Sequence, residues 1–186
     1  MMTQDVFKVV LCGDAQAGKT SILQRYCNGR FDQYTNPTVG ADFISQTVYN
    51  GDREIKMHIW DTAGQELYQA ICTLYFRSTV LAIIVYSVTS PKPLEETTKW
   101  IDRMKNAEKD VVIVVFGNKI DLEKNPTDEV LNWCNQHEIQ HFFVSALTGD
   151  NIQTAFDYII QVLSKMQYKP RSTSIVIESA KQESCC

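Results

Sequence analysis

A segment near the start of the chain carries glycine, lysine and threonine at a spacing suited to phosphate binding. The apolar run Val6–Cys12 ends at Gly13, and four residues later Gly18-Lys19-Thr20 opens an amphipathic stretch. This spacing fits the pattern G-x-x-x-x-G-K-[ST], here in the strand–turn–helix context that gives the pattern its meaning. Glycines let the backbone curl so that several N–H groups point at one anion, and the positive end of the following helix adds to that field.

The side chains of this segment extend the prediction to a metal-bound nucleotide phosphate. Lys19 is expected to reach the β- and γ-phosphates, and the Thr20 hydroxyl is expected to ligate Mg²⁺. The residues predicted to surround the phosphates are Asp14, Ala15, Gln16, Ala17, Gly18, Lys19, Thr20 and Ser21. The alternative is a chance match on a glycine turn before an ordinary helix.

A second segment, Asp61-Thr62-Ala63-Gly64-Gln65, follows an alternating strand that ends at Trp60. In an open α/β sheet, ligands lie beyond the carboxyl ends of the strands, so this turn can lie beside the phosphate loop. Asp61 could then hold the Mg²⁺ shell, and the N–H of Gly64 could meet a γ-phosphate. On its own this sequence is an ordinary turn. Together with the glycine loop it specifically indicates nucleotide binding.

A third segment, Asn118-Lys119-Ile120-Asp121, follows an apolar run and can distinguish the purines. Ionised Asp121 only accepts hydrogen bonds, whereas guanine presents two donors side by side, N1–H and the 2-amino group. Adenine would leave this carboxylate desolvated and unpaired, and a site built this way rejects the wrong ligand by roughly 10⁴–10⁵-fold. The segment therefore predicts guanine recognition, and the alternative is an ordinary strand-end turn.

Length and composition limit the class of protein. The chain has 186 residues, most simply one domain, with 44% hydrophobic and 22% charged residues, as in ordinary globular proteins. A net charge of −4 gives no support for nucleic-acid binding. We expect no secretory signal, because the first ten residues have no basic stretch before an apolar core. We expect no membrane span, because no apolar run approaches the necessary ~20 residues. The cysteines at 12, 27, 72 and 134 and the three isolated histidines lack metal-ligand spacing, and these four cysteines are predicted to be small core residues.

Strand-like and helix-like periodicities alternate along the chain, which predicts a doubly wound α/β sheet with helices on both faces. The turn Asn50-Gly51-Asp52 predicts a hairpin that makes one edge strand antiparallel. The predicted strands are Val6–Cys12, Phe43–Tyr49, Arg53–Trp60, Val80–Val88, Val111–Gly117 and His141–Ser145. Four helices are predicted between these strands and after the last one. The first ends near Asn28-Gly29, the second begins at Pro93, the third covers Thr127–His137 and the last runs from Ile152.

Two of these helices have predicted inner faces. The helix that begins at Pro93 is predicted to place Leu94, Thr98, Ile101 and Met104 or Lys105 along one face. The last helix is predicted to bury Ile152, Ala155, Phe156, Ile159, Ile160 and Leu163.

Taken together, the three segments make the chain resemble a Ras-superfamily small GTPase over about residues 6–165. Trp60 before DTAGQE, the stretch Pro37–Phe43 and the terminal Cys185-Cys186 are most similar to the Rab branch. The resemblance implies the P-loop small GTPase fold with six strands. It also implies a GTP-binding G domain over residues 1–167 and a C-terminal tail over 168–186.

The resemblance assigns further roles, which follow the general template of Ras-type switches. Thr38 would touch Mg²⁺ and the γ-phosphate only with GTP bound, and Gln65 would orient the attacking water. Switch II would run from Asp61 through the helix near Tyr68–Phe76. The implied metal ligands are Thr20, Thr38 and Asp61, and the implied base contacts are Phe31, Asn118, Lys119, Asp121, Ser145, Ala146 and Leu147.

As function, the resemblance implies a GTP-hydrolysing switch in vesicle trafficking. The implied partners are an exchange factor, an activating protein, a prenyl-tail escort or GDI-type chaperone, and effectors that meet Phe43, Trp60 and Tyr75. Core packing is the alternative for Phe43 and Tyr75. A monomer is expected.

Several positions depart from the family pattern. Gln16 is bulky near the phosphates and makes the intrinsic hydrolysis rate uncertain. Leu67 stands where Rab proteins commonly have arginine, and Leu147 replaces the usual lysine of the base-contacting motif. No arginine lies between Phe31 and Thr38, so slow turnover without an activating protein is expected.

The tail from Tyr168 reads as a flexible tether. It ends in Cys185 and Cys186, which resemble a double geranylgeranylation site, and Ile175-Val176-Ile177 resembles the aliphatic motif that escort factors grip. Two lipids would hold the chain stably on the cytosolic face of an intracellular membrane, where one lipid gives only reversible attachment.

Three other interpretations stay open. One is a GTP-loaded binding module that barely hydrolyses, suggested by Gln16. Another is a P-loop kinase or ATPase, which the segment Asn118–Asp121 opposes. The third is a soluble, unlipidated Ras-type GTPase.

Overall fold

The computed structural model describes residues 6–33, 38–64, 74–123 and 126–166. Six strands within these residues form one sheet: β1 (Val6–Cys12), β2 (Ala41–Asn50), β3 (Arg53–Thr62), β4 (Leu81–Ser87), β5 (Val112–Asn118) and β6 (Gln140–Phe143). Their order across the sheet is β2-β3-β1-β4-β5-β6. All neighbouring pairs are parallel except β2 and β3, whose hairpin makes β2 an antiparallel edge strand.

Four helices of the described residues lie on the two faces of this sheet: α1 (Lys19–Asn28), α2 (Pro93–Ala107), α3 (Glu129–Gln136) and α4 (Ile152–Lys165). The core around Leu23 and Phe156 packs α1 and α4 on one face, and the core around Trp100 and Val130 packs α2 and α3 on the other. The predicted fold class, a mostly parallel six-stranded sheet with one antiparallel edge and helices on both faces, is confirmed.

The alternation of β3 and the inner face of α4 agree with the sequence prediction. Ile55, Met57 and Ile59 are fully buried, and all six predicted α4 positions are buried. Cys12 and Cys134 are buried and Cys27 is half-buried, whereas Cys72 lies outside the described residues. Among the helices that the structure describes, none is long and apolar enough to cross a bilayer.

Some predicted element ends were wrong. The hairpin is longer than predicted because Ala41 pairs with Thr62, which extends β2 towards Thr38 and β3 towards Gly64. Strand β6 ends at Phe143 rather than Ser145, because the Ser145 N–H donates to the Asp150 carbonyl in a turn (3.1 Å) and so leaves the ladder. Helix α3 is shorter than predicted at both ends, Glu129–Gln136 instead of Thr127–His137.

The inner face of α2 was also predicted partly wrongly. Ile101 and Met104 are buried as predicted, but Leu94 and Thr98 are only half-buried and Lys105 is exposed. The buried stripe is Pro93, Thr97, Trp100, Ile101 and Met104. Trp100 is 2% exposed and lies in the core between α2 and the sheet, so the inner face runs through positions 97 and 100.

A buried tyrosine–histidine pair lies under the strand end that leads to the Asn118 segment. Tyr86 Oη and His141 Nε2 are 3.0 Å apart, and His141 is 7% exposed. A Cβ at Gly117 would lie 2.6 Å from Tyr86 Oη, so this glycine makes room for the pair. Burial lowers the pKa of His141 to about 4 and raises the pKa of Tyr86. The neutral His141 imidazole can therefore accept a hydrogen bond from the Tyr86 hydroxyl.

This pair makes stability depend on pH. The pKa of a histidine in the unfolded chain is about 6.5, so the unfolded state binds more protons than the folded state between pH 6.5 and 4. We therefore expect the free energy of unfolding to fall by about 3 kcal/mol as the pH drops through this window. Urea denaturation at several pH values, with His141→Gln as the variant that cannot titrate, measures this; equal pH slopes in the two proteins would contradict it.

Candidate nucleotide-binding site

The loop between β1 and α1 depends on two glycines. Gly13 has φ +150°, and a Cβ there would lie 2.0 Å from the Val85 carbonyl oxygen. Gly18 has φ +92°, and a Cβ there would lie 2.3 Å from Asn118 Nδ2. Both approaches are too close for any side chain, so β4 and the Asn118 segment can contact the loop only because these positions are glycine.

Lys19 points its ammonium group into this loop. Its Nζ donates to the carbonyl oxygens of Gly13 (2.8 Å) and Asp14 (3.0 Å), and the residue is 6% exposed. A buried positive charge beside the N-terminus of a helix favours a bound anion. Phosphate binding by this loop stays a prediction, which the position of the buried Lys19 ammonium group supports.

Gln16 adopts a left-handed backbone conformation in the same loop. Its φ is +63°, and its side chain is exposed. A residue with a Cβ pays about 1 kcal/mol for this conformation, which glycine adopts freely. Ala15 is also exposed, while Ala17 is buried.

The loop is also held by a residue that the sequence did not indicate. Trp100 Nε1 on α2 donates to the Asp14 carboxylate at 2.7 Å. The Asp14 backbone carbonyl accepts a hydrogen bond from Lys19. Through its side chain and its backbone, Asp14 therefore connects Trp100 on α2 to the Lys19 ammonium group.

The three predicted metal ligands lie together at the start of α1. Thr20 Oγ1 donates to Asp61 Oδ2 at 2.5 Å and lies 3.0 Å from Thr38 Oγ1. Asp61 is 2% exposed, and its Oδ1 has no hydrogen-bond partner among the described residues. Burial raises the pKa of Asp61, against the opposing effects of the Thr20 hydroxyl and the Lys19 charge.

This donor set fits Mg²⁺. Two hydroxyls and a carboxylate are hard oxygen ligands of the kind that Mg²⁺ prefers, usually with several waters retained. A divalent cation would also satisfy the buried Asp61 Oδ1 and offset the cost of burying its charge.

The Asp61–Gly64 turn lies against the phosphate loop, as predicted. A Cβ on Gly64 would lie 2.5 Å from the Asp14 carbonyl carbon and 2.5 Å from the Ala15 nitrogen. The neighbouring Ala63 N–H donates to the Gly40 carbonyl at 2.8 Å. The segment that carries Thr38 and Gly40 and the Asp61–Gly64 turn are thus joined to each other, and the turn contacts the phosphate loop.

At the other end of the site, Asn118 joins two loops. Its Nδ2 donates to the Ala17 carbonyl (2.8 Å), and its Oδ1 accepts from the Ala146 N–H (3.1 Å). Asn118 is 1% exposed, so this buried amide connects the phosphate loop to the loop after β6.

The Asp121 carboxylate is oriented from the same loop. Ser145 Oγ donates to Asp121 Oδ1 at 2.5 Å and accepts from the Thr148 N–H at 3.1 Å. Lys119 has a left-handed φ of +72°. These contacts hold the polar groups predicted to read guanine at one edge of the sheet.

Two predicted base contacts, Phe31 and Leu147, have large apolar side chains. Phe31 is half-buried and packs against the core between α1 and α4. Leu147 is 47% exposed.

Comparison with known proteins decides the family. The family model of the Ras family matches residues 8–165. The chain is 35% identical to the Ras-related protein Rab-7a of Paramecium octaurelia, over 98% of both chains. It is 34% identical to the Ras-related protein Rab-5A of Dictyostelium discoideum, over 97% of this chain and 95% of the relative. It is 35% identical to the Ras-related protein Rab11A of Lotus japonicus, over 83% and 70%.

The chain belongs to the Ras family. Its relatives make it a Rab-like small GTPase involved in vesicle trafficking. GTPases of this family generally bind GTP, GDP and Mg²⁺. This assignment decides against a P-loop kinase or ATPase.

The Rab-like chain brings the three predicted effector-contact aromatics together. The rings of Phe43 and Trp60 are 5.2 Å apart and those of Trp60 and Tyr75 are 5.4 Å apart, measured between centroids. Phe43 is 43% exposed and lies outside both apolar cores, so core packing does not explain it. Lys8 Nζ lies 5.3 Å from the Trp60 ring centroid.

Several predicted positions of the Rab-like chain lie outside the described residues. These are Gln65, Leu67, most of the predicted switch II helix, the tail with Ile175-Val176-Ile177, and the terminal Cys185 and Cys186. Of switch II after Gly64, the structure describes residues from 74 onwards, with helix at 74–76.

The close approach of Gly64 to the phosphate loop gives a steric prediction. We expect Gly64→Ala to lower the free energy of unfolding by about 1–3 kcal/mol, because its methyl group would overlap backbone atoms that cannot rotate away. Gly51→Ala is the control, since Gly51 has φ +60° and open space around it and would cost only backbone strain. Urea denaturation measures both, and a Gly64→Ala protein more stable than the control would contradict the packing described.

Proposed function

We propose that this Rab-like chain binds GTP and GDP between the phosphate loop and the loop after β6, hydrolyses GTP with Mg²⁺ bound, and alternates between two forms. The GTP form recruits effectors and the GDP form does not. The observation that carries this proposal is the buried Asn118 amide, which contacts both the Ala17 carbonyl and the Ala146 N–H. One side chain thereby links the segment suited to phosphate with the segment suited to guanine.

At the phosphate end, the loop N–H groups and Lys19 bind the anionic oxygens. Thr20, Thr38 and Asp61 would hold Mg²⁺, which neutralises phosphate charge when bound. Thr38 comes from the segment before β2, so its contact with Thr20 makes that segment responsive to the terminal phosphate.

At the base end, Asp121 accepts the two guanine donors while the Ser145 hydroxyl donates to its Oδ1. The cost of leaving this carboxylate unpaired excludes adenine. Ala146 and Lys119 complete the base-contacting surface.

For hydrolysis, Gln65 orients the attacking water. Because the segment between Phe31 and Thr38 has no arginine, turnover without a partner is slow. An activating protein that supplies an arginine accelerates it by ~10³–10⁵.

A second candidate function is a GTP-loaded, effector-recruiting module with very slow hydrolysis. The left-handed Gln16 in the phosphate loop favours it, since a long side chain stands where the family pattern has small residues. Stimulated hydrolysis of GTP distinguishes this module from a cycling switch.

The partners and location follow the same reasoning. Exposed Phe43 and half-buried Trp60 and Tyr75 form a contiguous aromatic cluster suited to effectors, and an exchange factor and an escort protein complete the cycle. Residues 168–186 act as a tether after the domain of residues 1–167. Lipids on Cys185 and Cys186 anchor the monomer on the cytosolic face of an intracellular membrane.

Nucleotide selectivity tests the proposed function. We expect the wild-type chain to bind GDP more tightly than ADP by roughly 10⁴-fold, measured by competition for a fluorescent GDP analogue. Asp121→Asn should weaken GDP and favour xanthosine diphosphate, because an amide offers both a donor to the 2-oxo group and an acceptor to N1–H.

Asp150→Asn is the matched control for this test, because Asp150 is an exposed carboxylate near the same loop. It should leave the preference unchanged. A wild-type chain that holds ATP as readily as GTP would refute the proposal.

A second experiment tests the role of Gln65. Gln65→Leu should abolish hydrolysis stimulated by an activating protein and leave GTP affinity intact, because leucine cannot orient water. Phosphate release in a single turnover measures this, with Gln136→Leu at the exposed end of α3 as control. Undiminished stimulated hydrolysis in Gln65→Leu would remove the catalytic assignment.

A further inference from the structure

Arg25, in the last turn of α1, donates hydrogen bonds to the loop after β6. Its Nε donates to the Ala146 carbonyl at 2.8 Å, and its Nη2 donates to the Leu147 carbonyl. Its Nη1 donates to the Gly29 carbonyl at 2.9 Å, at the C-terminal end of its own helix. The guanidinium fork is therefore bound on all three nitrogens, which fixes its plane.

The position of Arg25 on α1 connects the two ends of the site. The first turn of α1 carries Lys19 and Thr20 at the phosphate end. Arg25 lies about two turns further along the same helix and contacts the loop at the base end. A rigid helix thus sets the distance between the phosphate groups and the loop that faces the base.

Ser145 and Ala146 are buried and held by turn hydrogen bonds, and Arg25 adds hydrogen bonds to the carbonyls of Ala146 and Leu147. The Leu147 side chain is 47% exposed, so apolar packing does not fix the chain there. Asn118 Oδ1 holds the Ala146 N–H, and Arg25 holds the carbonyl of the same residue and of the next. Charge-assisted hydrogen bonds of this kind are stronger than neutral ones.

We propose that Arg25 is a positioning residue for guanine binding, which holds the Ser145–Leu147 loop in place and so slows nucleotide release. This inference rests on the proposed function, because it assigns Arg25 to the base end of that same site. Through Ser145 Oγ, the loop also orients Asp121, so a loosened loop weakens both the Ala146 contact and the carboxylate contact.

The test is the rate at which a fluorescent GDP analogue leaves the full-length chain. Arg25→Ala should release it roughly tenfold faster, because two charge-assisted hydrogen bonds to the loop are lost and only part of their free energy is coupled to the ligand. Arg25→Lys keeps the charge and one donor to the loop, so it should release the analogue at an intermediate rate.

Arg53→Ala is the matched control. Arg53 donates through Nη1 to the Ser164 carbonyl and through Nη2 to the Met166 carbonyl at 2.9 Å, at the end of α4 and away from the site. Its loss removes comparable bonds from a helix end, so a general loss of stability would accelerate release in both variants alike. Release at the wild-type rate from Arg53→Ala is expected.

A second readout locates the effect. Release is measured with Mg²⁺ and again with excess EDTA. Because Arg25 acts at the base end, the acceleration in Arg25→Ala should be the same factor in both conditions, since independent contributions add in free energy. A factor that vanishes in EDTA would place the effect at the phosphate end and overturn the proposal.

The outcomes separate this inference from the proposed function. If the wild-type chain retains no guanine nucleotide, the proposed function fails. If it retains GDP and both Arg25 variants release it at the wild-type rate, or no faster than Arg53→Ala, the proposed function stands and the role of Arg25 is wrong.

Discussion

The buried amide of Asn118 is the interaction on which the site depends. The two loops it joins follow β1 and β6, which are not neighbours in the sheet, and no ladder hydrogen bond sets their separation. An amide buried without partners would cost several kcal/mol, so both bonds must form together in the folded state. Gly18 permits this approach because a Cβ would overlap the amide nitrogen. The Asn118 amide is therefore the direct link between the phosphate end and the base end, and helix α1 with Arg25 adds a second connection between them.

Much of the architecture follows from local patterns that the sequence displays. The alternation of apolar and polar residues from Ile55 to Ile59 predicts the buried face of β3, and the six apolar positions of α4 predict its inner face. The structure agrees with both predictions. The glycine-lysine-threonine spacing predicts a phosphate loop because few backbone shapes allow such close approach. The parallel order of the strands then places the three polar segments at one edge, since all follow carboxyl ends of strands.

Other features depend on contacts between distant residues, which local patterns do not reveal. Trp100 lies 86 positions from Asp14, and Arg25 lies 121 positions from Ala146. A tryptophan on a helix predicts burial, but its indole N–H partner is set by the packing of α2 against β4. An arginine near a helix C-terminus is typical of surface charge, and only the folded chain brings it to the loop after β6. The error in the inner face of α2 has the same origin.

A crystal structure of the chain with GDP and Mg²⁺ tests the central claim most directly. It should hold the phosphates at Gly13–Thr20 and the guanine against the Asp121 carboxylate, with both Asn118 hydrogen bonds retained. A nucleotide bound elsewhere, or a site in which Asn118 leaves Ala17 or Ala146 when the nucleotide binds, would contradict the account.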